Sequence, residues 1–103
     1  MVGPRERLTV ERSTLTENRL GEAIETWSPD GTVDVTVVPA SAYVRSQGAL
    51  RGVAVTHTIV APWGFPADPL RTRLRAPGKV YRLHSVTETP RGTILEAEMT
   101  DAT

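Results

Sequence analysis

The sequence holds 103 residues, 39% hydrophobic and 23% charged, with eight glycines, eight prolines and no cysteine. That suits one soluble domain over residues 1–103 with a single core, and it excludes wholesale disorder, a disulfide framework and thiolate metal sites. No run approaches the roughly 18 apolar residues of a membrane span, and Met1–Arg7 lacks an apolar leader core, so the reading is an unsecreted protein without a membrane partner.

The formal net charge is zero but unevenly spread. Residues 1–34 sum to −3, residues 35–87 to +6 with Asp68 their only acid, and residues 88–103 to −3. Such asymmetry either offers complementary faces to a partner or a neighbouring copy, or is evened out when folding mixes the segments.

In chain order, Leu8 and Val10 alternate with Thr9 and Glu11, and Val33, Val35 and Val37 alternate with Thr32, Asp34 and Thr36. This period of two predicts strands with one core face and one wet face. Ser41–Gly52 breaks the pattern. Ser41 can cap a helix, but the stretch is short and interrupted by glycine, which predicts a long loop with one helical turn. A loop of this length is either functional or merely a mobile connection. Val53–Ala61, Val80–Val86 and Thr93–Met99 read as further strands. Arg71, Arg73 and Arg75 alternate with Leu70, Thr72, Leu74 and Ala76, which predicts a basic stripe on one strand face. Turns are expected at Asn18–Gly21, Ser28–Gly31, Pro62–Pro66, Ala76–Gly78 and Thr89–Gly92. About six strands result, in an all-β fold: a small antiparallel barrel with a long inserted loop.

Catalytic chemistry lacks its parts. His57 and His84 are the only histidines, and without cysteine they make a poor metal set. No nucleophile elbow, phosphate-binding glycine loop or zinc-protease helix is present, so neither enzyme activity nor a cofactor is expected. Glu96 and Glu98, two apart on one strand face, read as a solvated sheet edge and not an acid–base pair. Trp27 and Tyr81 are expected in the core. Trp63 and Phe65, in a proline-bounded loop, either cap the barrel or form a hot spot for another subunit.

Taken in order, Leu8–Arg12, Gly21-Glu-Ala-Ile-Glu-Thr-Trp27, the valine strand into Pro39-Ala-Ser, Val55-Thr-His-Thr-Ile59 and Gly78-Lys-Val-Tyr-Arg-Leu-His-Ser-Val86 resemble the head-tail joining, or head-closure, proteins of tailed phages. The resemblance covers most of the chain and rests on order and spacing. It implies a small β-barrel with an inserted loop, forming a ring in the virion neck between the portal or adaptor and a tail-terminator or tail protein. Such a ring is assembled in the host cytoplasm and closes the DNA-filled head, and DNA passes its channel without sequence-specific binding. Under this resemblance, Ser41, Tyr43, Arg45, Gln47, Gly48 and Arg51 form the channel or stopper loop. Arg71, Arg73, Arg75, Trp63 and Phe65 are the expected subunit or partner interface, and the arginines alternatively meet DNA phosphates or simply guard a sheet edge. Val60–Pro66 lacks the arginine often found there in the family, so loop contacts are not carried over. The competing class is a small barrel that binds nucleic acid directly, for which five aromatics make a sparse stacking platform.

Overall fold

The computed structural model describes residues 5–101; the opening residues read for a leader extend outside this range. Six strands form a closed antiparallel barrel in the order β1-β2-β3-β6-β5-β4. They are β1 (Arg5–Glu17), β2 (Ala23–Pro39), β3 (His57–Ala61), β4 (Thr72–Ala76), β5 (Lys79–Thr89) and β6 (Gly92–Asp101), with one helix, α1 (Ala42–Leu50), between β2 and β3. The expected barrel is therefore present.

The alternating positions build the core. Leu8, Val35, Ile59, Leu74, Leu83 and Leu95 are all essentially inaccessible and pack with Tyr81. Closure leaves no free edge, so the idea of Glu96 and Glu98 lying on a solvated edge does not apply: β6 pairs with β3 and β5 on its two sides.

Antiparallel closure also sorts the connections. The β1–β2 hairpin, the β3–β4 connection and the β5–β6 turn share one mouth of the barrel. The β2–β3 connection and the β4–β5 turn share the other. In the ring order β3 and β4 stand opposite each other, so residues 62–71 must cross their mouth. Phe65 and Ala67 accordingly pack onto the core. β2 and β3 are hydrogen-bonded neighbours, so residues 40–56 have no such distance to span.

Four expectations are corrected. Ser28–Gly31 is not a turn but a bulge within the 17-residue β2: Thr9 pairs with Thr32 while Glu11 pairs with Pro29, and Gly31 takes up φ +86°. Past this bulge the β1–β2 ribbon leaves the barrel, so Trp27 faces Ser13 in the ribbon and is only half-buried. Its ring lies 4.3 Å from the Arg73 guanidinium carbon, outside the core. Ser41–Gly52 holds not one helical turn but a nine-residue helix, because Ser41 Oγ accepts the Val44 N–H as an N-cap. Residues 53–56 are not strand; β3 starts only at His57.

Candidate functional site

The first mouth carries an arm. Beyond Ser13, both strands of the ribbon are exposed, Trp27 excepted. Asn18 Oδ1 accepts the Leu20 and Glu22 amides, and Gly21 at φ +79° closes the turn. Leu15, Leu20 and Ile24 are exposed on this arm beside Glu17, Glu22 and Glu25. Only Leu20, an apolar residue at the centre of an otherwise polar turn, hinted at this from sequence. Next to the arm, Trp63 and Phe65 separate: Phe65 caps the core, whereas Trp63 is 74% exposed.

At the second mouth the connection from 40 to 56 is pinched at its base by the Ala40 amide donating to the Thr56 carbonyl. Between these ends the chain makes an excursion. Among the described residues no strand lies against α1. Its sole buried position is Gly48, where a Cβ would meet Val55 Cγ2 at 2.9 Å and the Val53 carbonyl oxygen at 3.0 Å. Gly48 thus lets the helix sit on the returning chain. Gly52, at φ +78°, ends the helical stretch. Ser41, Tyr43, Arg45, Gln47 and Arg51 are exposed around it. Arg51 reaches back to Glu96 Oε1 at 3.0 Å. Glu96 also accepts from Ser85 Oγ, and these two hydrogen bonds hold its carboxyl below its ordinary range.

The arginine stripe is divided. β4 begins at Thr72, which leaves Arg71 in the crossing loop and Leu70 exposed instead of inward. Arg73 Nε donates to Glu11 Oε1 at 2.6 Å, and Arg75 Nη1 lies 3.6 Å from Glu11 Oε2. Glu11, expected on a wet face, is only 6% exposed, because the bulge and the Trp27–Arg73 contact cover that part of the wall. Two of the three cations therefore serve a buried carboxylate. Arg45, Arg71, Lys79 and Arg82 have no ion-pair partner within 4 Å among the described residues.

Neither histidine anchors a site. His57 points into the second mouth, edge-on to Tyr81 with ring centroids 5.7 Å apart. Burial, then Lys79 and Arg45, depress its pKa from the ordinary 6.5. Burial raises that of Tyr81. His84 Nε2 donates to Glu98 Oε1 at 3.0 Å on the outer wall. No group of three or more His, Asp and Glu side chains among the described residues converges as metal ligands. A cleft of roughly 370 Å³ separates the arm from the wall, between Glu25, Trp27, Arg73, Arg82 and Glu98. Its lining is divided between these charged groups and the apolar Trp27, Pro69, Leu70 and Val80. No helix among the described residues is long and apolar enough to cross a membrane.

The fold is thus a closed small β-barrel with an arm at one mouth and a capped helical excursion at the other. The chain is a member of the phage head completion protein family, whose pattern it matches over residues 4–99. It is accordingly a structural protein of the phage virion, with its role at the head–tail neck. No curated protein matches the chain.

Proposed function

We propose that this chain forms a ring in the neck, between the portal or adaptor and the tail, which closes the filled head and offers the tail its docking surface. Family membership supports the neck role. The observation that carries the finer reading is the 40–56 excursion. It joins adjacent strands that a short turn could connect, yet it holds a capped helix that packs on no strand. Chain length that the topology does not need is most economically explained by something outside the subunit. In a ring this element reaches the channel, with Ser41, Tyr43, Arg45, Gln47, Gly48 and Arg51 as its surface. Trp63 and Arg71 at the first mouth are offered to the neighbouring ring, whereas Phe65, Arg73 and Arg75 act indirectly, by holding that mouth and wall in shape.

Direct nucleic-acid binding draws less support. Tyr81 is buried, Phe65 caps the core and Trp27 packs against Arg73, while the two exposed aromatics, Tyr43 and Trp63, stand at opposite mouths, so the aromatics do not form one stacking platform. The test replaces residues 42–52 with a short glycine–serine turn, keeping the buried Ala40 and Val55. The expected outcome is a folded barrel that complements assembly but yields heads that lose DNA. Heads that stay full and infectious would remove the gating role, and particles without a copy of the wild-type chain at the neck would overturn the whole reading.

A further inference from the structure

Among the described residues, the arm's last backbone bond to the wall is the Ser13 amide donating to the Arg71 carbonyl, and β2 pairs only with β1 until it meets β3 at Thr36. Beyond Ser13 lie four residue pairs, from Thr14–Thr26 to Glu17–Ala23, and all eight residues are exposed. A two-stranded ribbon is marginal in water unless a further surface packs on it. The register decides which face can do so. Trp27 pairs with Ser13 and Glu25 with Leu15, so these four share one face, whereas Thr26 and Ile24 belong to the other. Trp27 lies over Arg73, and Trp27 and Glu25 line the cleft of roughly 370 Å³ whose far side holds Leu70, Val80 and Arg82. The first face is therefore turned toward the outer wall of β4 and β5.

We infer that the arm is a hinged flap that closes this cleft, folding its Leu15–Glu25–Trp27 face onto the barrel's own wall at Leu70, Val80 and Arg82. Charge matches across the gap. Glu25 and Arg82 are both exposed, and neither has an ion-pair partner within 4 Å among the described residues. Glu98, opposite Arg82 in the register, is engaged by His84 Nε2 instead. Polarity matches too. Leu15 is 55% exposed and Leu70 83% exposed, so closure covers apolar surface from both sides. Tethering selects the occupant: the arm is held beside this wall by its own chain, at an effective concentration on the order of millimolar that a copy arriving from solution has to exceed. The base is built as a hinge. Arg73, fixed by its bond to the buried Glu11, gives Trp27 a platform to tilt on, and the bulge at Gly31 interrupts the ladder behind it. In the free chain the closed arm keeps Leu15 and Leu70 from other copies; once opened, it presents both at the first mouth.

Because the chain has no cysteine, closure is open to disulfide trapping, and a bridge requires Cα atoms within about 7 Å. Glu25→Cys with Arg82→Cys is compared with Thr26→Cys with Arg82→Cys, in which the arm's cysteine lies on the other face. Both are mildly oxidised as the free chain. The expected result is a monomeric, internally bridged product from the first pair, in clear excess over the second. Equal yields would show an arm that moves without a preferred face, and no bridge in either would show an arm that stays off the wall. Linked dimers in place of the bridged monomer would give the face to a second copy. Each of these three results overturns closure. A second measurement needs no cysteine: with Trp63→Phe, Trp27 is the only tryptophan left. Glu25→Lys then sets like charges across the cleft and should raise acrylamide quenching of Trp27 about twofold. Unchanged quenching would overturn closure even where the bridge forms. Failure would leave the neck ring untouched, because the free chain is what is measured.

Discussion

The two long connections of this barrel differ in why they are long. Residues 62–71 join strands on opposite sides and have to cross the mouth, and on the way Phe65 and Ala67 become part of the core. Residues 40–56 join strands that already touch, and what they add, α1, leaves the barrel. Length alone does not distinguish function from architecture. Length compared with the distance to be spanned does, because ordering a residue costs conformational entropy that packing must offset, and α1 has little packing of its own.

The largest effect is expected at the exit of the crossing loop. Replacing Arg73 and Arg75 by glutamine removes both cations from the buried Glu11, and the stranded carboxylate should cost about 2–3 kcal/mol in urea unfolding. Arg71→Gln, in the loop itself, should stay within about 0.5 kcal/mol. Equal effects from all three would mean that the stripe is one surface and not two. Next, Phe65→Ala should cost about 2 kcal/mol, below the range for a fully buried aromatic because Phe65 is half-exposed. An unchanged midpoint would show that the crossing loop is no plug.

In the excursion the effects should be smaller and local. Gly48→Ala drives a Cβ into Val55 and the Val53 carbonyl. It should lift α1, shift amide resonances between residues 40 and 56 and cost about 1 kcal/mol or less; resonance changes throughout the barrel would show that the excursion is coupled to the core. The smallest effect lies at its base. His57 is depressed in the folded state by burial, so its neutral form is favoured there: the stability this gives is complete above the ordinary value of 6.5 and is lost as pH falls through the lower folded value. Glu96, also depressed, acts in the same direction at lower pH, losing its contribution only below the ordinary 4.5. His57→Gln should therefore flatten the decline of the urea midpoint just below pH 6.5 and leave the acid limb, which Glu96→Gln should reduce.

Much of the barrel was legible because inward positions recur every second residue, and burial follows that period from Val33 to Val37 and from Tyr81 to Leu83. Ser28–Gly31 misled because bulges and turns use the same residues: a positive φ at Gly31 serves either, and pairing partners far along the chain decide between them. Trp27 misled for a related reason. A large aromatic in a strand is expected inside, but the bulge carried its part of β2 past the end of the core. The Arg71–Arg75 alternation was real, yet its meaning depended on Glu11, 62 residues from Arg73 in sequence and 2.6 Å from it in space.

The strand period, the turn chemistry at Asn18–Gly21 and Thr89–Gly92 and the Ser41 cap were readable from the residues because they depend on neighbours within a few positions, and the family pattern was readable from the order and spacing of such segments along the chain. Tertiary structure alone decided that β3 and β4 stand opposite while β2 and β3 adjoin. From that order follow the plug, the free-standing helix and the separation of exposed apolar side chains toward two ends. Barrel closure is a property of all six strands at once, and no local segment encodes which connection will have a mouth to cross.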